Sequence, residues 1–275
     1  MALWRAIATA LRRLPQAVWT TISLTLVVVL WQVGHNAYGS LLLPSPSETV
    51  AALWQLTIDG RMLPALAATT KNSLGGFAAA LLIGVSLGAL AGWSTILRHL
   101  LQPIATLMLG VPAIAWVVLS LLWFGGSGSA VAFTVMISST PIVFGGAAQG
   151  VRTLDGTLKR MALAFRVPRH DLLLDVYLPH VLSYLFPAIA TALALSWKVA
   201  VMTELLSGAG GIGDGLATAR AEVDTVKAMA WIAAVVIVLI VLEQLVLEPV
   251  RRRFENWRRQ LDSESGSAPD RGALT

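Results

Sequence analysis

Two charged residues interrupt the apolar stretch Tyr184–Leu206: Lys198 and Glu204. A charge at bilayer depth costs about 2.5–3.5 kcal/mol on insertion, so it must face protein or a water-filled path. Lys198 lies near the middle of the stretch. It either lines a path, where an ammonium would favour an anionic solute, or pairs with an acid on another span, such as Glu243. Glu204 follows nearly two helical turns later, too far for an i, i+4 pair with Lys198. It reads as an outer-gate residue or as a helix-interface residue.

Other chemistries find no support. The chain has no cysteine, which removes disulfides, thiol catalysis and cysteine zinc sites. His35, His99, His170 and His180 are scattered without metal-ligand spacing, and nothing calls for a metal or a cofactor. A phosphate-binding P-loop needs Gly-Lys followed by Ser or Thr, and no Gly-Lys pair occurs. The run Gly208–Gly215 therefore reads as the end of a span and a turn, where glycine supplies positive φ. Ser138, Ser139, Ser196 and the pair Gly84 and Gly88 suit helix packing inside a membrane. No paired acids or clustered bases suggest an embedded enzyme. Any energy source must lie in another subunit or in an ion gradient.

The elements that would hold Lys198 and Glu204 are transmembrane helices. Hydrophobic residues make up 56% of the chain and charged residues 13%, about half the charged share of a soluble domain. Six apolar runs are predicted to span: Val18–Val33, Leu74–Trp93, Ile104–Phe124, Ala130–Ala148, Tyr184–Leu206 and Met229–Leu247. Trp19 and Trp31 bracket the first like interfacial anchors. It is read as a retained anchor rather than as a signal peptide, which the preceding Arg5, Arg12 and Arg13 would also allow. The fold class is all-α, a polytopic transmembrane bundle.

With the N-terminus inside, cytoplasmic segments hold fifteen of the twenty Lys and Arg residues, and outside segments hold Arg61, Lys71, Arg220 and Lys227. That asymmetry predicts both termini in the cytoplasm. The formal charge of +5 then reports topology rather than nucleic-acid binding. The domain reading is a cytoplasmic segment over 1–17, a membrane domain over 18–258 and a disordered tail over 259–275.

Two connections carry structure of their own. Pro46 is placed to open a surface helix capped by Ser45, with Thr49–Ile58 continuing it. In the long cytoplasmic loop, about 151–182, Leu154, Leu158, Met161 and Phe165 share one helical face. Pro168 limits that helix, and His170–Tyr177 forms a second before Leu178-Pro179. Such a pair either lies on the lipid surface or docks into a groove on a soluble partner.

The chain resembles the permease subunits of binding-protein-dependent ABC importers, in the nitrate, sulfonate and taurine group. The resemblance runs in order through Leu43-Pro44-Ser45-Pro46-Ser47-Glu48, Gly76-Phe77 with Gly84 and Gly88, and Pro112-Ala113-Ile114-Ala115-Trp116 with Trp123-Phe124-Gly125. It continues through Met161-Ala162, Phe165, Leu178-Pro179 and Pro187. It ends with Trp197-Lys198, Glu204 and Gly210-Gly211-Ile212-Gly213. It covers about residues 40–258. Asn72 stands where Arg is common, Arg160 where Glu is usual, and Arg166 where Gly is usual.

The resemblance implies the type I importer permease fold, no catalysis by this chain, and a cytoplasmic loop that forms coupling helices. Leu154, Leu158, Arg160, Met161, Ala162, Phe165 and Arg166 would then dock on an ABC ATPase. Trp116, Trp197, Lys198 and Glu204 are the candidate path residues. The implied partners are two ATPase copies, a second permease copy and an external solute-binding protein, all at the inner membrane. A gradient-driven transporter is the rival reading; it would want ion-coupling carboxylates at the midplane and broken helices, and spans one to four hold no midplane acid. Relatives in this group also carry vitamin or pyrimidine precursors, so the substrate stays open.

Overall fold

A computed structural model describes residues 16–154 and 168–244. Those residues form helices and short connections, with no strand among them. In chain order the helices are α1 (Gln16–Tyr38), α2 (Pro46–Ile58), α3 (Met62–Trp93), α4 (Thr95–Gly110), α5 (Ala113–Phe124) and α6 (Gly128–Arg152). After the loop come α7 (Leu178–Ser207), α8 (Ile212–Ala221) and α9 (Thr225–Leu242). Five stretches are long and apolar enough to cross a membrane, and α4 with α5 makes a sixth if the bent pair counts as one span.

That bent pair takes the place of the single third span expected over Ile104–Phe124. The helix stops at Gly110 and restarts at Ala113, with a 95° bend between the axes. Val111 is extended, at φ −77° and ψ 124°. A residue before proline is driven out of the helical region by the proline ring, and Gly110 weakens the turn before it. Pro103, Pro141 and Pro187 sit inside helices that continue through them, so the glycine and the pre-proline residue act together at this break.

The core of the bundle is the pairing of α3, α6 and α7. Small residues on α3 let it approach α6 closely. A Cβ on Gly84 would fall 2.7 Å from Val143 Cβ, and one on Gly88 2.5 Å from the Phe144 carbonyl oxygen. Gly84 and Gly88 thus have the packing role expected of them. Along the same face of α6, Ser139 Oγ lies 3.0 Å from Ser196 Oγ on α7. Val143, Ala147, Leu185 and Ala192 close that seam.

The capped surface helix is present. Ser45 Oγ accepts the Glu48 amide at 3.1 Å, and Glu48 Oε2 accepts the Ser45 amide at 2.8 Å. This reciprocal capping box satisfies two donors at the start of α2. The Ser45 amide holds the Glu48 carboxyl below the usual carboxylate range. α2 buries Thr49, Ala52 and Leu56, the last two in a cluster with Trp197, Ile212 and Trp231. No residue in the span of α1 is fully buried, and its C-terminal part is tied by Trp31 Nε1–H to the Pro44 carbonyl at 2.8 Å.

A correction concerns the stretch His170–Tyr177, expected as a separate helix ending before Leu178-Pro179. Arg169–Asp171 is helical, Leu172–Tyr177 is π-helical, and the chain runs on into α7 without a turn. Pro179 stands where the π-helical segment passes into α7. The wider π-type bonding ahead of it, Leu178 N–H to the Leu173 carbonyl, absorbs the proline without ending the helix.

Candidate functional site

α7 carries the residues of greatest chemical interest. Lys198 is exposed on the protomer, whereas Ser196, Trp197, Val199 and Ala200 around it are buried. Among the described residues no carboxylate lies within ion-pair distance of Lys198, and Glu243 is exposed and makes no ion pair. The pairing of Lys198 with Glu243 is therefore not seen. The ammonium is presented away from the protomer's own core.

Trp197 and Glu204 point the other way. Trp197 packs in the cluster formed with α2, α3, α8 and α9, and its indole Nε1–H has no acceptor there. Glu204 is fully buried. Its Oε2 accepts from Thr69 Oγ1 at 2.8 Å and from the Gly213 amide at 3.2 Å. Thr69 Oγ1 in turn accepts the Ile212 amide at 2.9 Å. Of the two readings open for Glu204, the helix interface is the one this geometry matches. Trp116 on α5 is half-buried, one turn beyond the Pro112 break, and its Nε1–H also lacks an acceptor.

Gly208 caps α7 in the left-handed region, and Gly210 and Gly211 also hold positive φ. The glycine run thus ends the span and turns the chain, as the sequence suggests. The same turn brings the first two amides of α8 onto Thr69 and Glu204. These are N–H groups that a helix cannot satisfy internally.

Of the loop residues, Leu154 is described, half-buried at the end of α6. Leu158, Arg160, Met161, Ala162, Phe165 and Arg166 lie outside the described residues. The loop's two ends meet. Thr153 Oγ1 donates to the Gln149 carbonyl at 2.8 Å and lies 3.1 Å from His180 Nε2.

Sequence reasoning missed Thr69, the opening amides of α8, and the Thr153–His180 contact. Thr69 lies 135 positions from Glu204, and no local pattern joins them. The signal available was indirect: a buried acid on α7 needs donors, and a glycine run lets backbone amides approach one.

A bundle of bent and straight spans, one of which exposes Lys198 near its middle, is the frame of a membrane permease. The matching family model, binding-protein-dependent transport system inner membrane component, covers residues 80–255. The chain belongs to that family, and it is a multi-pass permease subunit of an ABC importer.

The riboflavin transport system permease protein RibX of Chloroflexus aurantiacus is 31% identical over 85% of this chain and 89% of that protein. The taurine transport system permease protein TauC of Escherichia coli is 28% identical over 86% of this chain and 88% of that protein. The nitrate import permease protein NrtB of Leptolyngbya laminosa is 29% identical over 70% of this chain and 72% of that protein. The fold matches the inward-facing MetNI methionine ABC transporter, with a TM-score of 0.57 at 16% identity, over 68% of this chain and 93% of that one. Membership implies a separate ATPase and a solute-binding protein as partners. ATP hydrolysis belongs to the separate ATPase.

Proposed function

We propose that two copies of this chain form the membrane pathway of an importer for a small anion, of the sulfonate, nitrate or taurine class. Lys198 is the observation that carries the reading. A span exposes an ammonium that no carboxylate neutralises among the described residues, and lipid cannot solvate it. It therefore faces water or the second copy along the path, where it attracts an anion. The relatives named for nitrate, taurine, sulfonates and bicarbonate agree with such a solute.

In this reading two ATPase copies dock on the loop at about 151–182, through Leu158, Met161 and Phe165. An external binding protein delivers the solute, and both termini lie in the cytoplasm. Trp116, beside the broken span, is the second path candidate. The complex alternates access, with ATP-driven closure of the ATPases passed through the loop to α6 and α7.

A second reading keeps the complex and changes the solute to a vitamin or pyrimidine precursor. The similarity to RibX favours it. Reconstituted complex, fed by its binding protein, decides between them. ATP-dependent uptake of labelled taurine, alkanesulfonate or nitrate supports the anion. Uptake of a riboflavin-like ring compound alone refutes it. Uptake that needs an ion gradient and no ATP refutes both.

A further inference from the structure

The turn between α8 and α9 holds Val223 in a conformation that valine disfavours. Its φ is 57°, and among the described residues it is the one non-glycine residue with positive φ. α8 ends there in a Schellman motif. The Asp224 amide donates to the Ala219 carbonyl at 3.0 Å, and the Val223 amide to the Arg220 carbonyl at 3.1 Å. Val223 takes the left-handed position that glycine usually fills, and a branched Cβ is crowded there. A side chain at positive φ destabilises by more than it gains from a stiffer unfolded chain. For the turn alone, glycine would be the better residue.

The surrounding contacts hold the turn in place. Asp224 closes α8 and also caps α9, its Oδ1 accepting the Lys227 amide at 2.9 Å. Lys227 Nζ lies 2.9 Å from Asp224 Oδ2 and 3.5 Å from Glu222 Oε2. At its other end α8 is fixed by the Ile212 and Gly213 amides on Thr69 and Glu204. The valine side chain finds no packing in the chain to offset the strain, since Val223 is 82% exposed. A strained, exposed residue that its neighbours over-determine points to a use outside the chain.

We propose that Val223 is a contact point for the external solute-binding protein, an apolar knob that enters an apolar pocket on that protein. Arg220, Glu222, Asp224 and Lys227 stand within four residues of it. An apolar centre with a charged rim is the anatomy of a protein interface, and four charges so close together exclude bilayer hydrocarbon as the cover. The inference rests on the reading that both termini are cytoplasmic, which puts this turn outside, and that a binding protein acts there. A turn locked on both sides presents the side chain already in place, so little order is lost on docking.

Val223→Gly and Val223→Asn test it in the full complex with its ATPase. Both residues suit the left-handed position and remove the apolar knob. Val223→Gly relieves the strain, so its melting temperature should rise by about 2–4 °C. Basal ATPase activity should not change in either variant. The concentration of loaded binding protein that gives half-maximal stimulation of the ATPase should rise about fivefold in both, the effect of roughly 1 kcal/mol at an interface. Stability and docking thus move in opposite directions, which a residue with a purely structural role would not produce. In a third variant, Val223→Cys, the thiol is unique because the chain has no cysteine of its own. A membrane-impermeant maleimide should label it from outside, and saturating binding protein should slow that labelling.

An unchanged half-maximal concentration in both Val223→Gly and Val223→Asn overturns the inference. So does a lower melting temperature in Val223→Gly, which would mean that the side chain packs within the complex. A cysteine that stays unlabelled without binding protein also overturns it, because the second copy or lipid would then cover the turn. Labelling from the cytoplasm alone, or an unaltered complex that no binding protein stimulates, would place the fault in the reading beneath it instead.

Discussion

Thr153, just past the end of α6, and His180 on α7 stand 3.1 Å apart, Oγ1 to Nε2, and so tie the two ends of the loop at about 151–182. In the proposed coupling by the loop, force would reach α6 and α7 together through this contact. His180→Ala should cost about 1 kcal/mol, the worth of one such bond. It should also lower stimulation of the ATPase by loaded binding protein, with membrane insertion unchanged. His180→Gln keeps a donor and should retain more of the stimulation. Equal stimulation in wild type and His180→Ala would remove the tie from the transmission route.

The apolar face of the loop is expected to hold the ATPase. Leu158→Asp and Phe165→Asp should each abolish co-purification with the cognate ATPase while the permease still inserts. Full retention of the ATPase by both variants would refute the docking assignment and favour a loop lying on lipid.

The start of α2 gives a stability prediction with a pH sign. Ser45→Ala removes the cap and should cost about 1 kcal/mol. The Glu48 half of the box is favoured by the ionised carboxyl, whose folded value lies below its ordinary 4.5. Its contribution is therefore complete above about pH 4.5 and fades as pH falls through the lower folded value. Glu48→Gln should lower the melting temperature at pH 7, and the difference from wild type should shrink below pH 4. A difference that grows on acidification would contradict the capping role.

Orientation is open to direct test. Single cysteines at Ser127 and Gly210 should label from outside, and those at Thr157 and Ser265 from the cytoplasm. The basis is the placement of fifteen of the twenty basic residues in segments assigned to the cytoplasm. The inverted pattern would also move the loop to the wrong side for an ATPase.

The spans were legible because each is a run of apolar residues, and a bilayer rewards such a run whatever its partners. The break at Val111 was not, because an apolar run looks the same straight or bent. Only Gly110 and Pro112 mark it, and prolines elsewhere in this chain leave helices unbroken. The capping box was readable from Ser45, Pro46 and Glu48, since its bonds span three residues. Glu204 could be singled out as an acid in an apolar run. Its partners could not, because Thr69 and the amides of α8 are brought to it by tertiary packing. For Lys198 the charge was legible and the exposure was not, since exposure depends on which face of α7 meets α3 and α6.

Lys198→Met, measured for both melting temperature and uptake in one preparation of the assembled complex, tests the central claim most directly. If Lys198 lines an anion path, the complex stays assembled, its melting temperature holds, and ATP-driven uptake falls at least about tenfold, the effect of roughly 1.4 kcal/mol in the translocation step. Lys198→Arg should keep partial activity, since it keeps charge without shape. If Lys198 is instead half of a buried ion pair within the assembly, the substitution leaves an unpaired acid and costs about 3–5 kcal/mol. Loss of stability, restored by a second substitution at the partner acid, would contradict the account, as would normal uptake by Lys198→Met.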